Sequence, residues 1–376
     1  MVIASIYIHI PFCSKACHYC DYHFSTSMKL KSRLINAVVK EIGLRKDEIK
    51  TKIESIYFGG GTPSLLSKEE INLILSKIRN SFNVSSNAEC TLECNPENVN
   101  INIINDWKDI GINRVSLGIQ SFNDKSLQLM NRSHDSLKAF SSLQLLKNNF
   151  KNFSVDLIYG IPHSKLHDWK KALKIVTDLD VPHISAYVLT VEPKTALIKM
   201  IEKNQIKGVD EKNQRDQHMF AYEFLTENGY ENYEFSSFSK PGFQCKNNVT
   251  YWTRKEYIGF GPSAHSFNGT ERKWNVSNNS IYIDKINANI LPLESETLTQ
   301  NNIFNEMVMV GLRRSSGIKI SEIESTLGIS YGDYLNKEIK SKLYEGILDK
   351  KDNIISVKKN FKFITDGIAS ELFITS

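Results

Sequence analysis

The sequence predicts an α/β fold, a parallel sheet rolled into a partial barrel of six strand–helix units, with a smaller α+β module behind it. Three observations predict it. From Met1 to about Phe238, six short β-rich runs alternate with helical patterns, the signature of a parallel sheet covered by helices. Glycine and polar residues collect where those runs end, the carboxyl edge at which such folds carry their chemistry. Beyond about Asn275 the alternation stops and helices crowd together.

Taken in order, the first strand is the apolar run Ile3 to Ile10, followed directly by a cysteine-rich stretch. Lys29 to Ile49 places Leu30, Leu34, Val38, Ile42 and Ile49 on one side, as an amphipathic helix does. The second strand, Ile53 to Gly59, leads to a helix from Lys68 to Ile78 that starts on a Ser67 cap with Glu70 three residues on. The third strand, Ala88 to Cys94, is followed by a helix from Ile101 to Ile110, and the fourth, Arg114 to Ile119, by helices around Lys125 to Met130 and Leu137 to Leu146. Strand Phe153 to Ile158, helix Trp169 to Thr177 and strand His183 to Leu189 complete the six. Helices are then expected at Asn302 to Arg313, Ile320 to Leu327 and Tyr331 to Tyr344, with a two-stranded hairpin in GILDKKDNIISVKKNFKFITDG and a last helix from Thr365. Three helices and a β-wing suggest a winged-helix-like module. The expected units are a barrel over 1–238, a connecting segment with NNVTYW over 239–290, and the module over 291–376.

Composition bounds the function. At 376 residues the chain suits about two domains, and 41% apolar with 24% charged residues is the make-up of a folded protein. A net charge of +5 is slight, and Lys358, Lys359 and Lys362 on the wing are too few for a nucleic-acid surface. No run approaches a membrane span, and Met1 to Ile10 lacks the features of a signal peptide, so a cytoplasmic protein is expected. In a reducing compartment, six cysteines point to metal ligands or buried thiols rather than disulfides.

Cys13, Cys17 and Cys20 form a C-x3-C-x2-C run immediately after the first strand. Three thiolates can hold three irons of a four-iron, four-sulfur (4Fe-4S) cluster and leave the fourth iron open. S-adenosylmethionine can chelate that iron through its amino and carboxylate groups and be cleaved to a 5'-deoxyadenosyl radical by one electron. The alternative is a closed Cys3His zinc site with His23 as fourth ligand. At the other strand ends stand Gly59, Gly60, Gly61 and Thr62; Glu93 and Asn95; Gln120 and Ser121; Asp156; and Tyr187 with Glu192. Each reads singly as a cap or turn residue, but five strand ends in a row offer groups for an amino acid or a nucleoside. Arg132 in NRSH can pair with a carboxylate or simply face solvent.

The stretches YIHIPFCSKACHYCDY, YFGGGTPS, TLECNPE, GINRVSLGIQSF, VDLIYGIP, HISAYVLTVEP, YWTRKEYIGFGPSAHS and GLRRSSGI together resemble the radical S-adenosylmethionine (radical SAM) superfamily, in its HemN/HemW branch of coproporphyrinogen oxidases and heme chaperones. The resemblance runs over nearly the whole chain and favours the cluster over zinc. It implies a radical SAM barrel, Cys13, Cys17 and Cys20 as cluster ligands, and Tyr7, Gly60, Gly61, Thr62 and Glu93 on S-adenosylmethionine. It also implies Tyr19, Gln120, Arg132, Asp156 and Ala186 around a second S-adenosylmethionine, as in the oxidases. The implied partners are heme or a porphyrin, a heme-accepting protein, an electron donor such as flavodoxin or ferredoxin, and a second copy in a homodimer. Two departures matter. The oxidases carry another cysteine two residues after the third, where this chain has Tyr22, which points to the chaperone side. The chaperones resemble one another in an HNxxYW motif implicated in heme binding, whereas NNVTYW has Asn247 at the histidine position, a poor ligand for heme iron. Cys245, Tyr251 and His265 are the substitutes the sequence offers. Heme trafficking is the function expected, and radical decarboxylation of coproporphyrinogen propionates the alternative.

Overall fold

The computed structural model describes residues 3–375; the outermost residues of the expected first and last units, 1, 2 and 376, lie outside it. Six strands, β1 (Ala4–Ile10), β2 (Ile53–Gly60), β3 (Val84–Cys94), β4 (Arg114–Gln120), β5 (Phe153–Tyr159) and β6 (His183–Val188), pair in parallel in sequential order. The helices between them are α1 (Lys31–Leu44), α2 (Lys68–Ser81), α3 (Ile101–Asp109), α4 (Asp124–Leu129), α5 (Ser136–Asn149) and α6 (Leu166–Asp178). The expected capping box opens α2, with Ser67 N–H donating to Glu70 Oε2 at 2.8 Å. Helix α1 ends five residues short of the expected Ile49, because the buried Arg45 guanidinium turns back onto Glu41 and Glu48.

The alternation along these strands separates two interiors. Ile6, Ile8 and Ile10 of β1, Ile56 and Phe58 of β2, Leu92 of β3 and Val115 and Leu117 of β4 are buried in the apolar core shared with the helices. The residues between them are polar or aromatic: Ser5, Tyr7 and His9; Ser55 and Tyr57; Glu89, Thr91 and Glu93; Arg114 and Ser116; Ser154 and Asp156; His183 and Ser185. Successive side chains on a strand point to opposite faces, and the register sets Tyr7 beside Tyr57, Glu93 beside Ser116, and Asp156 beside Ser185. The inside of the barrel is therefore a polar surface.

The barrel does not close β1 on β6. After α7 (Ala196–Glu202) and α8 (Glu211–Glu227), β7 (Glu231–Asn232) and β8 (Ser237–Ser239) extend the sheet, with β8 antiparallel to β6. Helix α9 (Lys246–Trp252) follows, then β9 (Tyr257–Phe260), which lies parallel to β1. Strands β10 (His265–Phe267) and β11 (Glu271–Asn275), helix α10 (Asn279–Asn287) and β12 (Leu293–Thr297) bring the sheet to 12 strands. A buried network ties this extension to α1: Glu41 accepts from Arg45, Asn275, Tyr282 and the Gly261 amide, and Arg45 also donates to the Gly259 carbonyl.

The remaining residues build a second core around Phe304, Val308, Ile323, Leu335 and Ile355. It joins α11 (Gln300–Arg313), β13 (Ile318–Lys319), α12 (Ile320–Leu327), α13 (Ile329–Tyr344), β14 (Leu348–Lys351), β15 (Ile354–Val357) and α14 (Thr365–Ser370). The expected hairpin is β14–β15, and β13 adds a third strand to it. Arg313 pairs with Asp366 and lies over the rings of Phe235 and Trp252, which packs this module on the barrel. Among the described residues no helix is long and apolar enough to cross a membrane.

Candidate functional site

A cavity of about 350 Å³ opens at the carboxyl ends of β1–β6. One wall is the loop after β1, closed at its base by Cys13 N–H donating to the Ser25 carbonyl at 3.0 Å and Ser25 N–H to the Pro11 carbonyl at 2.7 Å. All three cysteines of the run are free, half-buried and on this wall. Burial pushes the Cys13 thiol up and the Cys20 thiol up to about 11, so metal binding here displaces protons. His23, the fourth ligand of the zinc alternative, is engaged elsewhere, its Nε2 lying 2.8 Å from Asn279 Oδ1. Among the described residues no three His, Cys, Asp or Glu side chains close around a single-ion site. A cluster that gives each thiolate its own iron holds the sulfurs farther apart than one tetrahedral zinc does.

The glycine run lies opposite the loop. Gly60 adopts φ +105, and a Cβ there would lie 2.5 Å from the His9 ring. A Cβ on Gly61 would lie 2.7 Å from the Phe12 carbonyl oxygen, and the Gly61 and Thr62 amides donate to the carbonyls of Ile10 and Phe12. Glycine is thus required here by the close approach of β1 and of the start of the cysteine loop, while Gly60, Gly61 and Thr62 still line the cavity.

Glu93 and Asp156 form the acidic side. Tyr57 donates to Glu93 Oε1 at 2.8 Å and Ser116 Oγ to Asp156 Oδ2 at 3.0 Å. Burial raises the Asp156 carboxyl and pushes that of Glu93 to about 7. No Lys, Arg or His among the described residues forms an ion pair with either. Arg132 stands across the cavity, its Nη1 3.3 Å from Cys17 Sγ and its Nη2 donating to Asn95 Oδ1 at 2.6 Å and the Gly118 carbonyl at 2.8 Å. Gln120 closes β4 with φ 65, a left-handed conformation uncommon outside glycine that turns the chain at the cavity edge.

Of the residues the sequence singled out, Cys13, Cys17, Cys20, Tyr19, Gly60, Gly61, Thr62, Glu93, Gln120, Arg132 and Asp156 line this one cavity. Tyr7 does not line it; its ring stacks on Tyr57 one layer below, and a Cβ on Gly59 would meet Tyr7, Tyr57 and Glu93 together. Ala186 falls on the outer face of β6 and its side chain is buried in the apolar core, whereas its neighbour Tyr187 reaches the cavity. Sequence reasoning missed Tyr57, which the period-two alternation places on the face of Gly59, and did not see that Tyr22, 69% exposed, and Tyr187 stand together at the mouth.

Asn247 is elsewhere. Helix α9 packs inside the amino end of the barrel, where the Lys246 amide donates to Glu89 Oε1 at 2.9 Å, and Asn247 is 2% exposed. Cys245 is buried as well, Tyr251 meets Tyr257 edge-on, and His265 is exposed with its ring stacked on Trp274. A larger hollow of about 900 Å³, bordered by Arg79, Phe82, Lys108 and Lys151, contains none of the cysteine run.

Residues 7–176 match the radical SAM superfamily. The chain is similar to the heme chaperone HemW of Lactococcus lactis, 30% identical over 97% of this chain and 98% of that protein. It is likewise 30% identical to heme chaperone HemW of Bacillus subtilis over 97% of each, and 38% identical to that of Haemophilus influenzae over 69% of each. Among solved structures, the coproporphyrinogen III oxidase HemN of Escherichia coli superposes with a TM-score of 0.85 over 99% of this chain and 90% of that one, at 23% identity, a likeness of fold.

Proposed function

This chain belongs to the HemW family within the radical SAM superfamily, and from that membership we propose that it is a cytoplasmic heme chaperone with a 4Fe-4S cluster and S-adenosylmethionine held at the carboxyl end of its barrel. The observation that carries the reading is similarity along 97% of the chain to chaperones of matching length. The donor set fits the two groups. Cys13, Cys17 and Cys20 supply three soft ligands on one wall. Glu93 and Asp156 are buried carboxylates that form no ion pair among the described residues, suited to a ligand that carries an ammonium and a sulfonium. When bound, the pair supplies one-electron cleavage of a carbon–sulfur bond.

This chain's own residues bind and orient. Thr62 and Glu93 offer acceptors for an amino group, Gln120 and Asp156 for ribose hydroxyls, and Arg132 a planar donor for a carboxylate. Tyr22, standing where the oxidases have a further cysteine, leaves the site short of the residue expected for decarboxylation. Heme is proposed to bind outside the barrel floor, since Asn247 is buried; the exposed imidazole of His265 is the substitute best placed for iron. A flavodoxin or ferredoxin as electron donor, a homodimer and a hemoprotein recipient complete the proposal.

The test is anaerobic reconstitution, followed by heme and coproporphyrinogen III offered separately. Heme uptake without protoporphyrinogen is expected. Robust product formation would overturn the chaperone reading in favour of the oxidase.

A further inference from the structure

The turn that follows α4 is built around the middle cysteine. Asn131, at φ 60, donates its side-chain amide to the Ala16 carbonyl at 2.7 Å. The His18 amide donates to the Met130 carbonyl at 3.1 Å, and the His18 ring to the Leu129 carbonyl at 2.7 Å. Residues 16–18 are thereby clamped on both sides of Cys17, and the same turn delivers Arg132, whose Nη1 lies 3.3 Å from Cys17 Sγ. The guanidinium is not free to swing. Its Nη2 is held by Asn95 Oδ1 at 2.6 Å and the Gly118 carbonyl at 2.8 Å. Both of those acceptors are neutral, and among the described residues no carboxylate forms an ion pair with Arg132. Among the described residues, Cys17 is the cysteine of the run whose sulfur lies within hydrogen-bonding distance of Arg132, and that sulfur becomes an anion when iron binds. Neither Cys13 nor Cys20 has a cationic donor at hydrogen-bonding distance among the described residues.

We propose that Arg132 is a positioning residue that donates to the Cys17 thiolate and so raises the reduction potential of the cluster, apart from any contact it makes with S-adenosylmethionine. Reduction adds one electron to the cluster, supplied by dithionite or by a protein donor, and no bond to the protein forms or breaks. The added negative charge is spread over the sulfurs, so a fixed cation and an N–H donor at one of them favour the reduced form. The inference rests on the proposal above that these cysteines hold a cluster.

The test is a reductive titration followed by electron paramagnetic resonance, without S-adenosylmethionine, on reconstituted wild type, Arg132→Met and Arg132→Lys. Wild type is expected to be the easiest to reduce and Arg132→Lys intermediate. In Arg132→Met the equilibrium constant for reduction should fall at least about tenfold, which for a one-electron couple is about 59 mV. Equal potentials at equal iron content, with only S-adenosylmethionine affinity weakened, would overturn the proposal and leave Arg132 a ligand-binding residue. Should Arg132→Met take up less iron, Arg132→Lys and Asn95→Ala decide. Asn95→Ala keeps the charge but loosens its anchor, and a fall of about threefold or more in either variant supports the proposal, whereas unchanged potentials in both overturn it. Wild type that takes up no iron would instead sink the cluster reading on which the proposal rests.

Discussion

Replacing Glu93 by Gln should stabilise the ligand-free protein at alkaline pH while weakening its hold on S-adenosylmethionine. The carboxyl sits at about 7 instead of the ordinary 4.5 because burial strips it of water, partly offset by the Tyr57 hydroxyl and reinforced by Asp156. Below the lower value Glu93 is protonated in both folded and unfolded chains, and it costs nothing. As pH rises from 4.5 toward 7 the unfolded chain releases its proton first, so the folded state loses stability; above 7 both are ionised and the deficit is constant. At 1.36 kcal/mol per pH unit that deficit is on the order of 3 kcal/mol at pH 8 and about 1 kcal/mol at pH 5. Gln keeps the shape and the neutral form.

Urea unfolding of cluster-free wild type and Glu93→Gln at those two pH values measures the difference directly. The variant should be more stable by on the order of 3 kcal/mol at pH 8, and the gap should shrink toward pH 5. A gap of the same size at both, or a variant less stable at pH 8, would refute the account of Glu93 as a buried carboxylate whose desolvation outweighs its hydrogen bond from Tyr57. On the reconstituted protein the order reverses. A cationic ligand compensates the ionised carboxylate, so S-adenosylmethionine affinity should rise with pH up to about 7 in wild type, and loss of a charged hydrogen bond, about 1.5–3 kcal/mol, should weaken it roughly tenfold to a hundredfold in Glu93→Gln at pH 8.

Cys13→Ala, Cys17→Ala or Cys20→Ala should each abolish the cluster, judged by iron and sulfide content; stoichiometric zinc with no iron in wild type purified under strict anaerobiosis would count against it. Asn247→His should leave heme affinity unchanged, because a side chain 2% exposed cannot reach heme iron, and His265→Ala should lower it about tenfold, or about 1.4 kcal/mol; a large gain from Asn247→His in a heme titration would mean that α9 leaves the barrel. Arg45→Met should cost about 3–5 kcal/mol in urea unfolding, since it strands the buried Glu41 carboxylate, and the double variant Glu41→Gln/Arg45→Met should recover part of that loss.

Much of the fold was legible because the local signals agreed with the tertiary outcome. The six strands, the Ser67 and Glu70 capping box and the helices of the second core lie within a few residues of where the sequence puts them. What escaped was structure held by polar contacts. Helix α8 spans 17 residues, yet three of the side chains on its buried side are Gln214, Gln217 and His218, which bond the Leu189 carbonyl, the Gly160 amide and the Tyr159 hydroxyl. An apolar stripe of period 3.6 is the signal for such a helix, and here hydrogen bonds replace much of it. Arg132 reads in isolation as a solvated arginine, because its acceptors on residues 17, 95 and 118 are far away in sequence.

A parallel sheet covered by helices ordinarily carries near-continuous apolar strands, whereas here most of the residues on the inner face of β1–β6 are polar or aromatic. Burying Ser5, Ser55, Thr91 and Ser116 along one face has no packing advantage over valine and leaves hydroxyls such as those of Ser5, Ser55 and Thr91 without protein partners. An interior of that kind is costly unless it is wet or serves a polar ligand. Two elements limit it, α9 at the amino end through the Lys246 amide and Glu89, and the cysteine loop at the carboxyl end through Gly61, Thr62 and residues 16–18. The NNVTYW segment therefore acts first as the floor of the barrel, with its Trp252 ring under Arg313 of α11. A histidine at position 247 would enter that floor rather than solvent, so a change there acts on heme only by moving α9 or the module docked on it.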